Sequence, residues 1–214
     1  MKIGQTYVTR VKEAKYLGLF LDDKVNWNEH YNTVIQKLTK IASSFKVIKH
    51  IVPNKCKKIL YYAYVHSKIS YGIDVYRHTT QNNINQIQVM QSKILKSLYN
   101  KDWYSPTNSL HKDLHLLQVK DIFNLSIAKL VYKQINGYLP TIFNDYFTTN
   151  REIHGIITRN ADKLHTKRLR TNYGKSTLSV KGTNLYNSLP QSITNSFSLN
   201  IFTKSVKKYF LNKY

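Results

Sequence analysis

The chain has 214 residues, and its 42% hydrophobic content is spread through Tyr, Leu, Ile and Val, enough to bury a core and to exclude a disordered basic tail. Its 33 Lys and Arg against 11 Asp and Glu give a formal charge of +22, and its one cysteine, Cys56, excludes an internal disulfide and any Cys-based zinc finger or knuckle. No apolar run approaches the roughly 18 residues of a membrane span, and the N-terminus lacks a hydrophobic signal region, so the expectation is a soluble, intracellular protein with no membrane partner, nucleus and cytoplasm left undistinguished.

Residues 1–100 carry 16 basic and 5 acidic side chains and residues 101–214 carry 17 and 6, so each half is +11 and the excess is no detachable arm. Such a field favours polyanions, and 17 tyrosines supply faces on which bases can stack. The plain alternative is an Asn- and Lys-rich coding bias with a merely solvated surface.

At the N-terminal end, short strands are predicted around Tyr7–Val11 and Tyr16–Leu21, joined by Lys12-Glu13-Ala14. Asp22-Asp23 has the look of a paired carboxylate site for two metal ions, but such a site needs a third carboxylate and only Glu13 lies upstream. The reading adopted is a polar turn, with Asp23 or Asn26 near the start of the next helix, where side-chain oxygens satisfy free backbone donors. From Asn28 to about Ile51, Tyr31, Val34, Ile35, Leu38, Ile41, Ala42, Phe45 and Ile48 recur at helical steps, leaving Lys37 and Lys40 on the other side.

Pro53-Asn54 opens the next helix, predicted to bury Cys56, Ile59, Leu60, Ala63 and Tyr64. Lys55, Lys57 and Lys58 crowd its first turns, where cations oppose the helix dipole unless an anion is near, so the cluster is a candidate phosphate contact. After Ser70-Tyr71-Gly72, a helix from about Gln81 to Tyr99 carries Ile84, Ile87, Met90 or Gln91, Ile94, Leu95 and Leu98 inward. Ser105-Pro106-Thr107 begins a short helix with Leu110, Leu114 and Leu117, and a further helix from about Lys120 to Asn136 is closed by Gly137.

Residues 148–182 turn polar and basic, with a strand predicted only at Thr177–Val180. A loop of that length is usually functional or disordered. Arg159, Lys167, Arg168, Arg170 and Lys175 lie there within 17 residues that contain a single acid, Asp162, and guanidinium groups suit bidentate phosphate contact. The last helix begins at Ser198, with Ile201, Phe202, Val206, Tyr209 and Phe210 on one side.

Other chemistry finds little support. His111 and His115 have a zinc-ligand spacing without a third ligand nearby. Gly174-Lys175-Ser176 fails as a phosphate-binding loop because Leu169 stands where the first glycine belongs. The sequence offers no catalytic constellation and no cofactor site.

The run Lys15-Tyr16-Leu17-Gly18, three apolar residues, Asp22, then Trp27 and His30 resembles the segment just after the catalytic core in reverse transcriptases of LINE-type, non-LTR retrotransposons, jockey-like elements included. In that family the Tyr-Leu-Gly strand belongs to the primer grip between palm and thumb. The resemblance therefore implies primer contact for Tyr16, Leu17 and Gly18 and places the catalytic aspartates before Met1. The order Tyr61, Tyr71-Gly72, Tyr76 and Gln91 is similar to the family's next helices, with Tyr76 where Trp is usual. His154, Thr158-Arg159, Arg168, Arg170-Thr171-Asn172-Tyr173-Gly174-Lys175, Gly182, Leu185-Tyr186-Asn187-Ser188-Leu189-Pro190 and Phe202 look like the extreme C-terminus of such reading frames, with Tyr186 again replacing Trp.

The expectation is a mainly α fold: a primer-grip-like hairpin over 1–27, a helical thumb bundle over 28–147, and a basic loop with a C-terminal helix over 148–214. The resemblance implies a truncated reverse-transcriptase piece that lacks the palm, performs no chemistry alone, and binds the phosphate backbone of RNA and DNA beside upstream reverse-transcriptase domains of any longer product. A basic helical protein-interaction domain without nucleic-acid function is the alternative.

Overall fold

Tyr16-Leu17-Gly18-Leu19 folds back on itself. In the computed structural model, which describes residues 2–3, 6–7, 9, 11–76, 81–155 and 157–214, β1 (Lys2–Ile3) pairs with β2 (Thr6–Tyr7), and β3 (Glu13–Tyr16) pairs antiparallel with β4 (Leu19–Asp22), Tyr16 facing Leu19. Leu17 and Gly18 form the two-residue turn with φ of 46° and 79°, the left-handed pair whose twist matches that of the flanking strands. The single strand expected over Tyr16–Leu21 is thus two strands, because Gly18 supplies a conformation that reverses the chain. Glu13 and Ala14, expected in a connection, are strand residues. The strand expected over Tyr7–Val11 falls partly outside the described residues, at 8 and 10.

Asp22 organises the turn into the first helix. Its Oδ1 accepts from the amides of Lys24 and Asn26, both at 3.0 Å, and its Oδ2 accepts from Trp27 at 2.8 Å. The polar-turn reading holds, with Asp22 making most of the bonds and Asn26 taking the Asn28 amide at 3.1 Å. Helix α1 (Asn28–Ile48) starts there and buries Tyr31, Val34, Leu38 and Phe45.

The chain divides into two compact units, Met1–Thr107 and Asn108–Tyr214. In the first, α1 packs on α5 (Gln81–Leu98), which buries Ile87, Gln91, Ile94, Leu95 and Leu98 as expected. Between them in sequence run α2 (Asn54–Leu60), a π-helical stretch (Tyr61–His66), α3 (Ser67–Ser70) and α4 (Ile73–Tyr76). The inward face predicted for α2 is corrected: Lys57, Tyr61, Val65 and Ile69 are buried, whereas Ile59 is 67% and Tyr64 52% exposed and the Cys56 thiol is exposed too. Buried positions spaced strictly four apart would drift around a regular α-helix. The wider π turn, bonded to the fifth residue, keeps such a row on one side.

Neutral hydrogen bonds staple this core. Gln91 Nε2 donates to the buried Tyr61 hydroxyl at 2.6 Å, and the buried Tyr76 hydroxyl donates to the Ile69 carbonyl. His30 lies among Trp27 and Tyr76, and burial, with Lys37 adding, lowers its pKa so that it stays neutral. The hairpin docks at the end of α3: the Tyr71 hydroxyl donates to the Leu17 carbonyl at 2.6 Å, and Gly72, at φ 67°, faces Leu19 so closely that a Cβ would come within 2.7 Å of it.

In the second unit, α6 (Thr107–Asp113) leads to α7 (Val119–Ile135), closed by Gly137 at φ 70°. A 3-10 turn (Thr141–Phe143), α8 (Asn150–His154), α9 (Asn172–Ser176), α10 (Leu178–Asn187), α11 (Gln191–Thr194) and α12 (Leu199–Leu211) follow. Both α10 and α12 pack on α7. Ile127, Val131, Phe147 and Leu164 form the core, with Leu178, Leu185 and Tyr186 around it. The strand predicted at Thr177–Val180 is corrected to the start of α10. Gly182 makes that helix useful, since a Cβ there would sit 3.0 Å from Phe147 and 3.1 Å from Val131, and the close approach of α10 to α7 outweighs glycine's poor helix propensity. Tyr132 stacks on Phe202 with centroids 4.4 Å apart, and its hydroxyl donates to the Ser196 carbonyl at 2.6 Å.

The hairpin docking is testable with a pair of glycines. Gly72→Ala adds both a left-handed alanine and a clash with Leu19, and is expected to cost about 2 kcal/mol or more in urea unfolding. Gly137→Ala, where nothing lies within 4 Å of the new Cβ, is expected to cost about 1 kcal/mol. Equal costs at the two sites refute the docking contact.

Candidate nucleic-acid interface

The basic stretch after Phe147 is tied down on both flanks. Thr149 bridges Leu164, with the His165 amide on the Thr148 carbonyl at 2.7 Å and the amides of Asn150 and Arg151 on the carbonyls of Lys163 and Ala161, both at 2.9 Å. Asn187 of α10 clamps the same ribbon from the other side, accepting from the Leu164 amide at 3.0 Å and donating to the Leu164 carbonyl at 2.8 Å. Thr166 continues the attachment through hydroxyl contacts at 3.3 Å to Thr183 and Asn184. A capping box, Thr149 with Glu152, starts α8. Within the loop expected over 148–182, residues 148–151 and 161–166 form a hydrogen-bonded ribbon, and Asn150–His154, Asn172–Ser176 and the segment from Leu178 are helical. Sequence periodicity misses the ribbon because an isolated backbone pairing and the Asn187 side chain, not an apolar stripe, hold it in place.

This scaffold sets the charges. Arg159 sits in the turn closed by the Ala161 amide on the Thr158 carbonyl at 2.9 Å. Asp162, the acid between Arg159 and Lys175, pairs with Arg151 at 2.8 Å. Arg159, Lys163, Lys167, Arg168, Arg170 and Lys175 are all exposed and have no acidic partner among the described residues. Five of these six were picked out by composition; Lys163 joins them by position.

Beside Arg159 and Lys163 a cavity of about 690 Å³ opens within the second unit, bordered also by Asp162, Asn187, Asn195 and Phe197. A phenylalanine directly before a serine N-cap ordinarily staples back onto the helix, and the Ser198 hydroxyl does accept from the Ile201 amide at 3.3 Å. Phe197 nevertheless stands 99% exposed. Tyr186 lines the same cavity, and burial, with Tyr132 nearby, pushes its hydroxyl up to about 12. Neither Phe197 nor Asn195 carries a signal in the sequence that separates it from ordinary loop residues.

In the first unit the candidates part company. Tyr16 and Leu17 are exposed at the hairpin turn, 65% and 72%, while Gly18 lies half-buried against the Tyr71 ring. Lys37 and Lys40 are exposed on α1, opposite its buried row. Lys55 is exposed and Lys58 half-buried, but Lys57 is 5% exposed, its ammonium 5.7 Å above the Tyr99 ring. The three lysines do not converge on one surface, because Lys57 begins the buried row of this helix.

His111 and His115 also separate. His111 is buried, with Nδ1 3.0 Å from the Leu116 carbonyl, and burial lowers its pKa against the opposing effects of that bond and of Asp121. His115 lies beyond the end of α6 at φ 53°. Among the described residues, no three His, Cys, Asp or Glu side chains gather as metal ligands, and no helix is long and apolar enough to cross a membrane.

Comparison with known proteins bears out the resemblance read from the motifs. The chain is 27% identical over 125 residues to the RNA-directed DNA polymerase from mobile element jockey of Drosophila melanogaster, a match covering 57% of this chain and 14% of that protein. It is 24% identical over 143 residues to the jockey polymerase of Drosophila funebris, covering 64% and 15%, and 25% identical over 112 residues to the probable RNA-directed DNA polymerase from transposon BS of Drosophila melanogaster, covering 51% and 12%. The chain is thus similar to a small part of non-LTR retrotransposon RNA-directed DNA polymerases, about one seventh of their length. No family model matches it, and no solved structure does.

The Asn187 clamp predicts a local effect. Asn187→Ala leaves the Leu164 amide and carbonyl without partners and is expected to cost about 1–3 kcal/mol, with faster hydrogen exchange concentrated at residues 161–166. Unchanged protection of that ribbon refutes the clamp.

Proposed function

We propose that this chain is the gripping segment of a non-LTR-type reverse transcriptase, holding template RNA and primer through their phosphate backbones. The observation that carries the reading is the set Arg159, Lys163, Lys167, Arg168, Arg170 and Lys175: all exposed and without acidic partners among the described residues, with Lys163 in the hydrogen-bonded ribbon and Arg159 in the turn before it. A solvated surface needs no such arrangement, since solubility is served equally by glutamate or by mixed charge. Phosphate neutralisation is served by cations alone, arginine above all. The sequence similarity to polymerases named for RNA-directed DNA synthesis supports the same reading. Lys37, Lys40, Lys55 and Lys58, with Tyr16 and Leu17 at the hairpin turn, extend the contacts in the first unit.

The segment grips without catalysing. Both oxygens of Asp22 are occupied by backbone amides, so this carboxylate serves the turn and does not compete for a metal ion. Purified alone with an annealed primer and template, deoxynucleotides and Mg²⁺ or Mn²⁺, the chain is expected to extend no primer. Template-dependent incorporation above a heat-inactivated control overturns this part of the proposal.

For the grip itself, Arg159, Arg168 and Arg170 replaced together by Gln are expected to weaken RNA and DNA similarly. The slope of log affinity against log salt is expected to flatten by about 0.7–0.9 for each phosphate no longer neutralised. The measurement is anisotropy titration at several salt concentrations, with circular dichroism to confirm the fold. Unchanged affinity and slope move the grip to Lys37, Lys40, Lys55 and Lys58. A wild-type chain that binds neither nucleic acid at low salt defeats the proposal.

A further inference from the structure

The cavity beside Arg159 differs from the rest of the basic surface. It is concave, about 690 Å³, within the size range that encloses a small organic ligand. Two cations, Arg159 and Lys163, border it, and the acid in its lining, Asp162, forms an exposed ion pair with Arg151 at 2.8 Å. Phe197 presents a ring that is 99% exposed and fills no core position. The exposed amide of Asn195 stands next to it in the same lining. Cations, a bare aromatic face and a side-chain amide are the groups that hold a phosphate, a base plane and a base edge. A purely electrostatic grip on a duplex uses the first and has no use for the other two.

We propose that this cavity takes one unpaired nucleotide of a single strand, with its phosphate on Arg159 and Lys163, its base stacked on Phe197, and the base edge within reach of Asn195. The inference rests on the nucleic-acid reading above and adds to it a preference for single strands and a defined seat for one base. The walls support this assignment mechanically. Asn187 and Thr149 fix the ribbon that carries Arg159 and Lys163, and the Tyr132 hydroxyl on the Ser196 carbonyl at 2.6 Å fixes the backbone next to Phe197. The backbone on both walls is therefore held before binding, and the strand and the Phe197 ring are ordered on binding.

The test compares a labelled single-stranded oligonucleotide, the same sequence as a duplex, the same strand with abasic positions, and a free mononucleotide, each titrated against the wild-type chain and the Phe197→Ala and Phe197→Tyr variants. Because Phe197 packs against no core, the alanine variant retains the fold, which circular dichroism checks. The expected result is tighter binding of the single strand than of the duplex, a loss of roughly five- to hundredfold in single-strand affinity for Phe197→Ala, recovery in Phe197→Tyr, and an unchanged salt slope. The abasic strand is expected to bind wild type and Phe197→Ala alike. The mononucleotide is expected to bind far more weakly than the strand; equal affinity would reassign the cavity to free nucleotides and overturn the strand seat. Single-strand affinity unchanged in Phe197→Ala, while the arginine variant still weakens binding, overturns the base seat and leaves the general grip standing. Failure of the wild-type chain to bind any probe overturns both.

Discussion

A chain with three cations for every anion cannot be held together by ion pairs. Most charge must therefore stay in water, since a buried charge without a partner costs more than its packing returns; Lys57, buried with its ammonium 5.7 Å above the Tyr99 ring, departs from this. The fold meets this constraint with tyrosine. The Tyr61 hydroxyl takes the Gln91 amide, Tyr76 donates to the Ile69 carbonyl, Tyr71 to Leu17 and Tyr132 to Ser196. Tyr61, Tyr76 and Tyr132 bury their rings, Tyr71 stays more than half exposed, and all four satisfy the polar end with a neutral partner. Burial drives the hydroxyls of Tyr61 and Tyr76 upward, so these two remain neutral across the physiological range.

The acids follow a complementary rule. Asp22 holds three amides, Glu152 closes a capping box by accepting from the Thr149 amide at 2.6 Å, Asp121 accepts from the Tyr214 hydroxyl at 2.6 Å, and Asp162 pairs with Arg151. These scarce carboxylates serve turns, caps and a ribbon, and leave the cations between Arg159 and Lys175 facing solvent. The outward positive field is thus a consequence of how the interior is built.

The motifs that resemble the non-LTR polymerases read as structural contacts. Leu17-Gly18 and Tyr71-Gly72, more than 50 residues apart in sequence, meet at one hydrogen bond and one close approach. Tyr61 and Gln91 are the two ends of a buried bond. Gly182 lets α10 approach Phe147 and Val131, and Asn187, in the Leu185-Tyr186-Asn187-Ser188-Leu189-Pro190 element, clamps Leu164. Within the second unit, Asn187 thereby sets the geometry of the basic ribbon.

Composition and periodicity alone determined that the chain folds, that it is mainly helical, where α1, α5, α7 and α12 run, and that its surface is strongly basic. Those features depend on local spacing and summed charge, which are properties of the sequence itself. The family resemblance was equally legible, because it rests on residue order. Tertiary structure decided the rest. The π turn chose which face of the helix after Asn54 is buried, taking Lys57 inside and Cys56 outside. The left-handed Leu17-Gly18 pair turned one expected strand into two. Packing against Phe147 and Val131 made a helix of the segment beginning at Leu178. The ribbon beneath Arg159 and the backbone beside Phe197 were hidden for the same reason: both are fixed by bonds between residues distant in sequence, and such bonds leave no periodic trace.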